Sequence, residues 1–294
     1  MNSNKLHTFG CSVTQGFALP DVVQPILDSS GDPLPSDKVK SLMDRGEVDW
    51  TDIHILKPSQ YAWPQVLADR LGVEVINHAR RGASFQQIAR QCAVGAKNIQ
   101  PNDTVIVMWT YLSRLSLQWP ARTSVPFCNV IDPDWGWNTI ILGMNKLFGL
   151  EKSKTSDENT EEKIQKYIEQ ATRHTYLDPI GIYDRYYNSL VLQQMTDGFL
   201  RSTGARVIHL SIETQPLTRQ LEHARQELDK SLAEPYNIPH PDDWYTIEVD
   251  HDSCFVILDT NIPPAENDMH PSVTHHKNFA NHIYKRYFEG NDEI

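Results

Sequence analysis

Short, almost wholly apolar runs alternate along this chain with longer stretches whose apolar residues recur every three or four positions. Residues 6–10, 73–77, 103–109 and 206–211 are too short for helices and end at or just before Gly, Asn or another polar residue, which predicts buried strands. Helical spacing fills the gaps. Residues 61–71 put Trp63, Val66, Leu67 and Leu71 on one face, and 85–96 do the same with Ile88, Cys92 and Ala93. A helix over 184–201 leads into the strand at 206–211, residues 254–258 read as a last short strand, and 272–288 as a closing helix anchored by Phe279, Ala280 and Ile283. Strands alternating with helices imply an α/β fold with a mostly parallel sheet covered on both faces.

Three stretches interrupt that rhythm, so the chain reads as one domain, 1–294, carrying insertions at about 17–59, 115–180 and 213–250. The first is rich in Pro and Asp, with only a short helix near 38–43. The second holds Trp119, Phe127, Trp135 and Trp137 among Pro120, Pro126 and Pro133, either a satellite core or a lid or sugar-binding wall. It continues into a charged run at 151–158 that reads as a solvated segment. The third begins as a charged helix at 219–232 and ends in a loop at 235–244. No internal repeat is visible.

Candidate chemistry sits at the two ends. After the first strand comes Gly10-Cys11-Ser12-Val13-Thr14-Gln15-Gly16, where Gly10 permits a sharp bend and Ser12 projects a hydroxyl from the turn. A serine hydroxyl needs a neighbouring base, and the base needs a group to fix its tautomer. Asp268 and His270 can supply both from one loop that Pro271 stiffens. Arg114, after the third strand, is placed to line the crevice at the carboxyl ends of parallel strands. Arg80 and Arg81 read either as a clamp for an anionic substrate group or as surface ion pairs.

Together these segments resemble the SGNH hydrolase superfamily, the GDSL-type esterases and lipases. That family carries a Gly-Asp-Ser-x-Thr-x-Gly nucleophile block, matched here except that Cys11 replaces the Asp. Its second block, an Asn–Gly stretch after strand two, is similar to Tyr61-Ala62-Trp63-Pro64 followed by 73–84, which contains Asn77 and Gly82. Its last block, Asp and His before Pro and a closing helix, is similar to Asp268, His270 and Pro271. The resemblance covers both ends and the first third, and leaves 119–204 without a family block. It implies a flavodoxin-like three-layer α/β/α sandwich and ester hydrolysis through an acyl-enzyme. Ser12 would be the nucleophile, His270 the base and Asp268 its orienting acid, with the Ser12 and Gly82 amides holding the oxyanion. It also implies a structural role for His276, no cofactor, and a small-molecule or carbohydrate ester as partner, with O-acetylated sugars as the favoured class.

Two departures bear on mechanism. The third family block ends in Gly-x-Asn, whereas the strand here runs into Trp109-Thr110-Tyr111-Leu112-Ser113-Arg114. Thr110, Ser113 or another group must replace the amide donor, or the donor is missing, at a cost of about 2.7–4 kcal/mol in the transition state. The family also places its Asp three residues before the His, where Asn267 stands; Asp268 is two before, and Glu266 or no acid are the alternatives. A catalytically weak glycan- or protein-binding module and an O-acyltransferase using the same triad are the competing functions.

Charge and composition narrow the field further. With 38 acidic against 27 basic residues the net charge is −11, which disfavours nonspecific nucleic-acid binding and anionic membranes. No apolar run is long enough to span a bilayer and no signal peptide is evident, so a cytoplasmic protein is expected; a virion-borne product would carry the same features. Cys11, Cys92, Cys128 and Cys254 are scattered, which argues against a disulfide framework. Cys11 is expected to pack in the core, with a Cys11 nucleophile as the lesser reading. His251, Asp252, His270, His275 and His276 crowd the C-terminal third without a recognised zinc spacing, so no metal is expected. Oligomeric state is left open.

Overall fold

The computed structural model describes residues 4–35, 38–39, 41–42, 45, 48, 57–112, 114–118, 137–141, 166, 170, 178–231, 247–265 and 270–290. In chain order its elements are β1 (Lys5–Phe9), α1 (Ser12–Gln15), α2 (Trp63–Leu71), β2 (Glu74–Asn77), α3 (Phe85–Gly95), β3 (Thr104–Trp109), β4 (Arg114–Gln118) and β5 (Trp137–Ile141). Then follow α4 (Pro179–Arg201), β6 (Arg206–Ser211), α5 (Leu217–Ser231), α6 (Cys254–Ile257) and α7 (Val273–Tyr287).

The four apolar runs form one parallel sheet in the order β2-β1-β3-β6, with Thr8 opposite Asn77 and Ile106, and Ile106 opposite Ile208. Both faces are covered, as an α/β sheet requires. Odd-numbered residues of β1, β3 and β6 face α3 and α4. Phe9 meets the backbone of Gly95, Trp109 stacks on Phe85 at 5.0 Å, and His209 bonds Asp197 of α4 at 3.0 Å. On the opposite face, the Arg206 guanidinium donates to the Tyr287 carbonyl at the end of α7, and α7 packs on α2 through Trp63 and Phe279, ring centroids 5.4 Å apart. Leu6, Phe9, Val105, Ile106, Val107, Met108 and Trp109 are fully buried between these layers. Each such side chain contributes about 1.5–3 kcal/mol of transfer free energy. The result is the expected three-layer α/β/α sandwich. Among the described residues, no helix is long and apolar enough to cross a membrane.

Several sequence expectations are corrected. Residues 254–257 form a short helix, α6, not a strand; the fifth position of the sheet is taken instead by Asp250, which pairs in parallel with Leu210. The reason is local. The Asp250 carboxylate accepts from the backbone N–H of Asp252 and Ser253 and from the Ser253 hydroxyl, so the chain turns immediately after the pairing. Ala93 is exposed, and Gly95 and Ala96 are buried in its place, because a Cβ at Gly95 would lie 2.8 Å from the Phe9 ring. α4 begins at Pro179 rather than 184, since the Asp178 carboxylate caps the Ile180 N–H at 3.0 Å and Pro179 takes the first helical position. The second insertion contains an antiparallel pair, β4 with β5, that the sequence pattern did not signal. In the 38–43 segment, 38–39 and 41–42 are helical; Trp119, Phe127, Trp135, the charged run at 151–158 and the loop at 235–244 lie outside the described residues.

Candidate active site

The nucleophile turn is built by close packing at the carboxyl end of β1. A Cβ on Gly10 would stand 2.2 Å from Thr14 Oγ1 and 3.2 Å from the Met108 carbonyl oxygen, so only glycine lets α1 start so near β3. Cys11 caps α1 in an extended conformation, Ser12 is its first residue, and Gly16 ends it in the left-handed region at φ +78°. The Ser12 N–H is therefore one of the leading amides that no helical carbonyl reaches. Neighbouring loops clamp this short helix. Asn77, at the end of β2, donates from Nδ2 to the Thr14 carbonyl at 2.8 Å and accepts from the Ala79 N–H at 3.0 Å. The Arg81 N–H donates to Gln15 Oε1 at 2.8 Å, and the Arg80 N–H to the Gly10 carbonyl at 3.2 Å. Gly82 follows at φ +68°, a conformation that favours glycine, one residue beyond the amide that bonds Gln15 of α1.

The other half of the site arrives from the far end of the chain. α7 is anchored where the Trp63 N–H donates to His276 Nδ1 at 3.1 Å, fully buried. Burial, and then the nearby His275 and His270, hold the His276 imidazole down to about 3, so it is a neutral acceptor in the core. Just before α7, the Ala265 N–H bonds the His270 carbonyl at 2.8 Å, and Phe17 packs edgewise on the His270 ring at 4.9 Å. These contacts bring His270 Nε2 within 3.0 Å of Ser12 Oγ, across 258 residues of sequence. Strand order, nucleophile turn and C-terminal histidine coincide. The first turn and the far end of the chain thus form one candidate catalytic pair.

Of the other expected residues, Gly82 follows Arg81, whose N–H bonds Gln15 of α1, and Arg114 lies against Cys11 and the Ala83 carbonyl, whereas Asp268 and Ser113 lie outside the described residues, as do Glu266 and Asn267. Thr110 is fully buried against the Cys11 thiol, its Oγ1 without a well-formed hydrogen bond. Cys11 itself is fully buried in the core, as expected for packing. Burial pushes its thiol up, but the Arg114 guanidinium and then the Val13 amide outweigh this and bring it below the usual thiol value. Arg80 is exposed; Arg81 is buried, its guanidinium 5.6 Å from the Phe17 ring. Among the described residues, no group of His, Cys, Asp and Glu is arranged to hold a metal ion. His251 and His275 instead bond the carbonyl oxygens of Glu213 and Asp259, each at 2.9 Å.

Phe17, Gln15 and Tyr111 were not singled out from sequence. Phe17 carried no signal beyond following Gly16. Tyr111 was detectable, because it stands directly in the loop after β3; its phenol is pushed up chiefly by burial and then by the charge of Cys11, which keeps it a neutral donor.

No family model matches this chain, and no curated protein does. Among solved structures it is similar to an acetyl xylan esterase from the rumen bacterium Butyrivibrio proteoclasticus, with 12% identity over 97% of this chain and 65% of that one, at a TM-score of 0.39. It is also similar to a member of the lipolytic G-D-S-L family from Veillonella parvula DSM 2008, at 12% identity, 98% and 100% coverage, and a TM-score of 0.37. A third is a carbohydrate esterase family 2 enzyme with a carbohydrate-binding domain from Corynascus thermopiles, at 10% identity, 96% and 65% coverage, and a TM-score of 0.34. The chain thus spans just under two thirds of the length of the first and third proteins, at 65% each. At these scores the likenesses stand as similarities alone, and the fold rests on its own strand order.

Proposed function

We propose that this protein is a serine hydrolase of carboxylic esters, acting through an acyl-enzyme on Ser12. The observation that carries the reading is the 3.0 Å approach of His270 Nε2 to Ser12 Oγ. In that geometry a neutral imidazole protonated on Nδ1 accepts the Ser12 proton as Oγ attacks the ester carbonyl. Asp268 orients Nδ1 and offsets the positive charge that develops. The carbonyl π electrons move to oxygen, where the Ser12 and Gly82 amides receive the charge. Collapse of the tetrahedral intermediate expels the alcohol, which takes the proton from His270. Water then repeats the sequence on the acyl-enzyme and releases the acid. An O-acetylated carbohydrate is the substrate class carried over from the family resemblance.

The test is hydrolysis of 4-nitrophenyl acetate and of acetylated xylo-oligosaccharide by wild type and Ser12→Ala. Acetate release that Ser12→Ala abolishes supports the reading; equal rates in both proteins refute it. A second reading, a binding module without turnover, is favoured by one observation, the loop after β3, Trp109 to Arg114, which carries no amide side chain. Retained glycan binding with no Ser12-dependent release selects it. Acylated sugar in place of free acid, when an acceptor sugar is added, selects a transferase.

A further inference from the structure

Two backbone amides alone make a weak oxyanion site, and the loop after β3 offers no amide side chain. Arg114 opens β4, beyond that loop, yet its Nη1 donates to the carbonyl oxygen of Ala83, the residue after Gly82, at 3.4 Å. The strand order β2-β1-β3 places β1 between those two loops. A side chain rooted after β3 that touches the loop after β2 must therefore cross the β1 turn, where Ser12 sits. The Cys11 thiol, one residue from the nucleophile, lies against that guanidinium. Arg114 is half-buried over the Tyr111 ring at 5.5 Å, and among the described residues no carboxylate pairs with it. A guanidinium held between the Ala83 carbonyl and the Cys11 thiol, with no carboxylate beside it among the described residues, is positioned for charge that appears during reaction.

We propose that Arg114 supplies the third oxyanion contact, a guanidinium in place of the side-chain amide; the proposal rests on the ester-hydrolase reading above. As the Ser12 Oγ–carbon bond forms, the Ser12 proton passes to His270 and the carbonyl π pair becomes the oxyanion's lone pair. An Arg114 N–H donates to that oxygen, together with the amides of Ser12 and Gly82. When the carbonyl reforms, the C–O bond to the alcohol breaks and the alcohol leaves with the His270 proton, while Arg114 keeps its own protons throughout.

The experiment measures kcat and KM for the neutral substrate 4-nitrophenyl acetate, and the second-order rate of covalent labelling by a fluorophosphonate. The proteins are wild type, Arg114→Gln, Arg114→Lys and Tyr111→Phe, with urea midpoints recorded for each. Arg114→Gln should lower kcat and the labelling rate by about 10²–10³-fold with little change in KM. Arg114→Lys, which keeps the charge without the planar fork, should recover part of the loss, and Tyr111→Phe should lose less than Arg114→Gln. Should Arg114→Gln fail to fold, the comparison of Arg114→Lys with wild type decides alone, and unchanged kcat there overturns the proposal. A wild-type labelling rate in Arg114→Gln overturns it too, and leaves the hydrolase reading standing. So does a raised KM at constant kcat, which would make Arg114 a ground-state substrate contact, or a matching loss in Tyr111→Phe, which would give the role to the phenol. A wild-type protein that neither hydrolyses nor labels ends the hydrolase reading and this proposal with it.

Discussion

Replacing Gly10 by alanine probes how the fold aims its nucleophile. The added methyl carbon would lie 2.2 Å from Thr14 Oγ1, 2.8 Å from Thr14 Cβ and 3.2 Å from the Met108 carbonyl oxygen. Ordinary contact needs about 3.5 Å, so Thr14 must retreat by roughly 1 Å. Thr14 cannot move alone, because its backbone carbonyl is bonded to Asn77 and its hydroxyl rests on Met108 Sδ at 3.4 Å. The displacement passes to α1 and carries Ser12 away from His270. Overpacking of this kind costs about 1–3 kcal/mol, and a shift near 1 Å in a reacting group can cost about 10²-fold in rate. Urea denaturation of Gly10→Ala should thus show a loss of about 1–3 kcal/mol, with fluorophosphonate labelling of Ser12 slowed about 10²-fold. Wild-type stability together with wild-type labelling would refute the packing of α1 against β3 described above.

Other outcomes follow from the same structure. Gly198→Ala, on α4 with nothing within 4 Å of the new methyl, should raise stability by about 0.5–1 kcal/mol in urea denaturation without altering labelling; a loss would mean that helix face is covered. Asp197→Ala strips the acceptor from His209, whose Nδ1 is already committed to the Trp109 indole N–H at 3.1 Å. It should cost about 1–3 kcal/mol in urea while leaving the labelling rate within twofold, and a stability unchanged from wild type would contradict the pairing. His276 is held neutral, with a folded value of about 3 against an unfolded one near 6.5. Because the folded value is the lower, its stabilisation is complete above about pH 6.5 and drains as pH falls towards 3. His78, lowered to about 4 by burial and then by His7, acts in the same direction. Between pH 7 and 5 wild type should lose about 2 kcal/mol more than His276→Gln by urea denaturation, and parallel pH profiles would contradict this.

The framework was readable because its periodicities are short-range facts. Runs such as 103–109 can only be strands, and Phe279, Ala280 and Ile283 can share only one helix face; all three are fully buried. The sheet order β2-β1-β3-β6 could not be read from period. What escaped the reading depends on contacts between distant segments or on side chains that outvote propensity. Residues 254–258 are apolar enough for a strand, yet the Asp250 carboxylate turns the chain into a helix there. Ala93 fits the helical stripe but faces outward, since Phe9 occupies the space beside Gly95. At the site, Ser12 and His270 were identifiable from their motifs and Arg114 from its place after the third strand, whereas Phe17 against His270 and the Arg114 bond to the Ala83 carbonyl are tertiary contacts with no local signature.

Peptide mapping after fluorophosphonate treatment of wild type and His270→Ala bears most directly on the pairing of Ser12 with His270. The adduct should sit on Ser12 in wild type and form at least about 10³-fold more slowly in His270→Ala, since an unactivated hydroxyl is a poor nucleophile at neutral pH. An adduct on another residue, or equal labelling of Ser12 in both proteins, would mean that the imidazole does not activate the hydroxyl it touches.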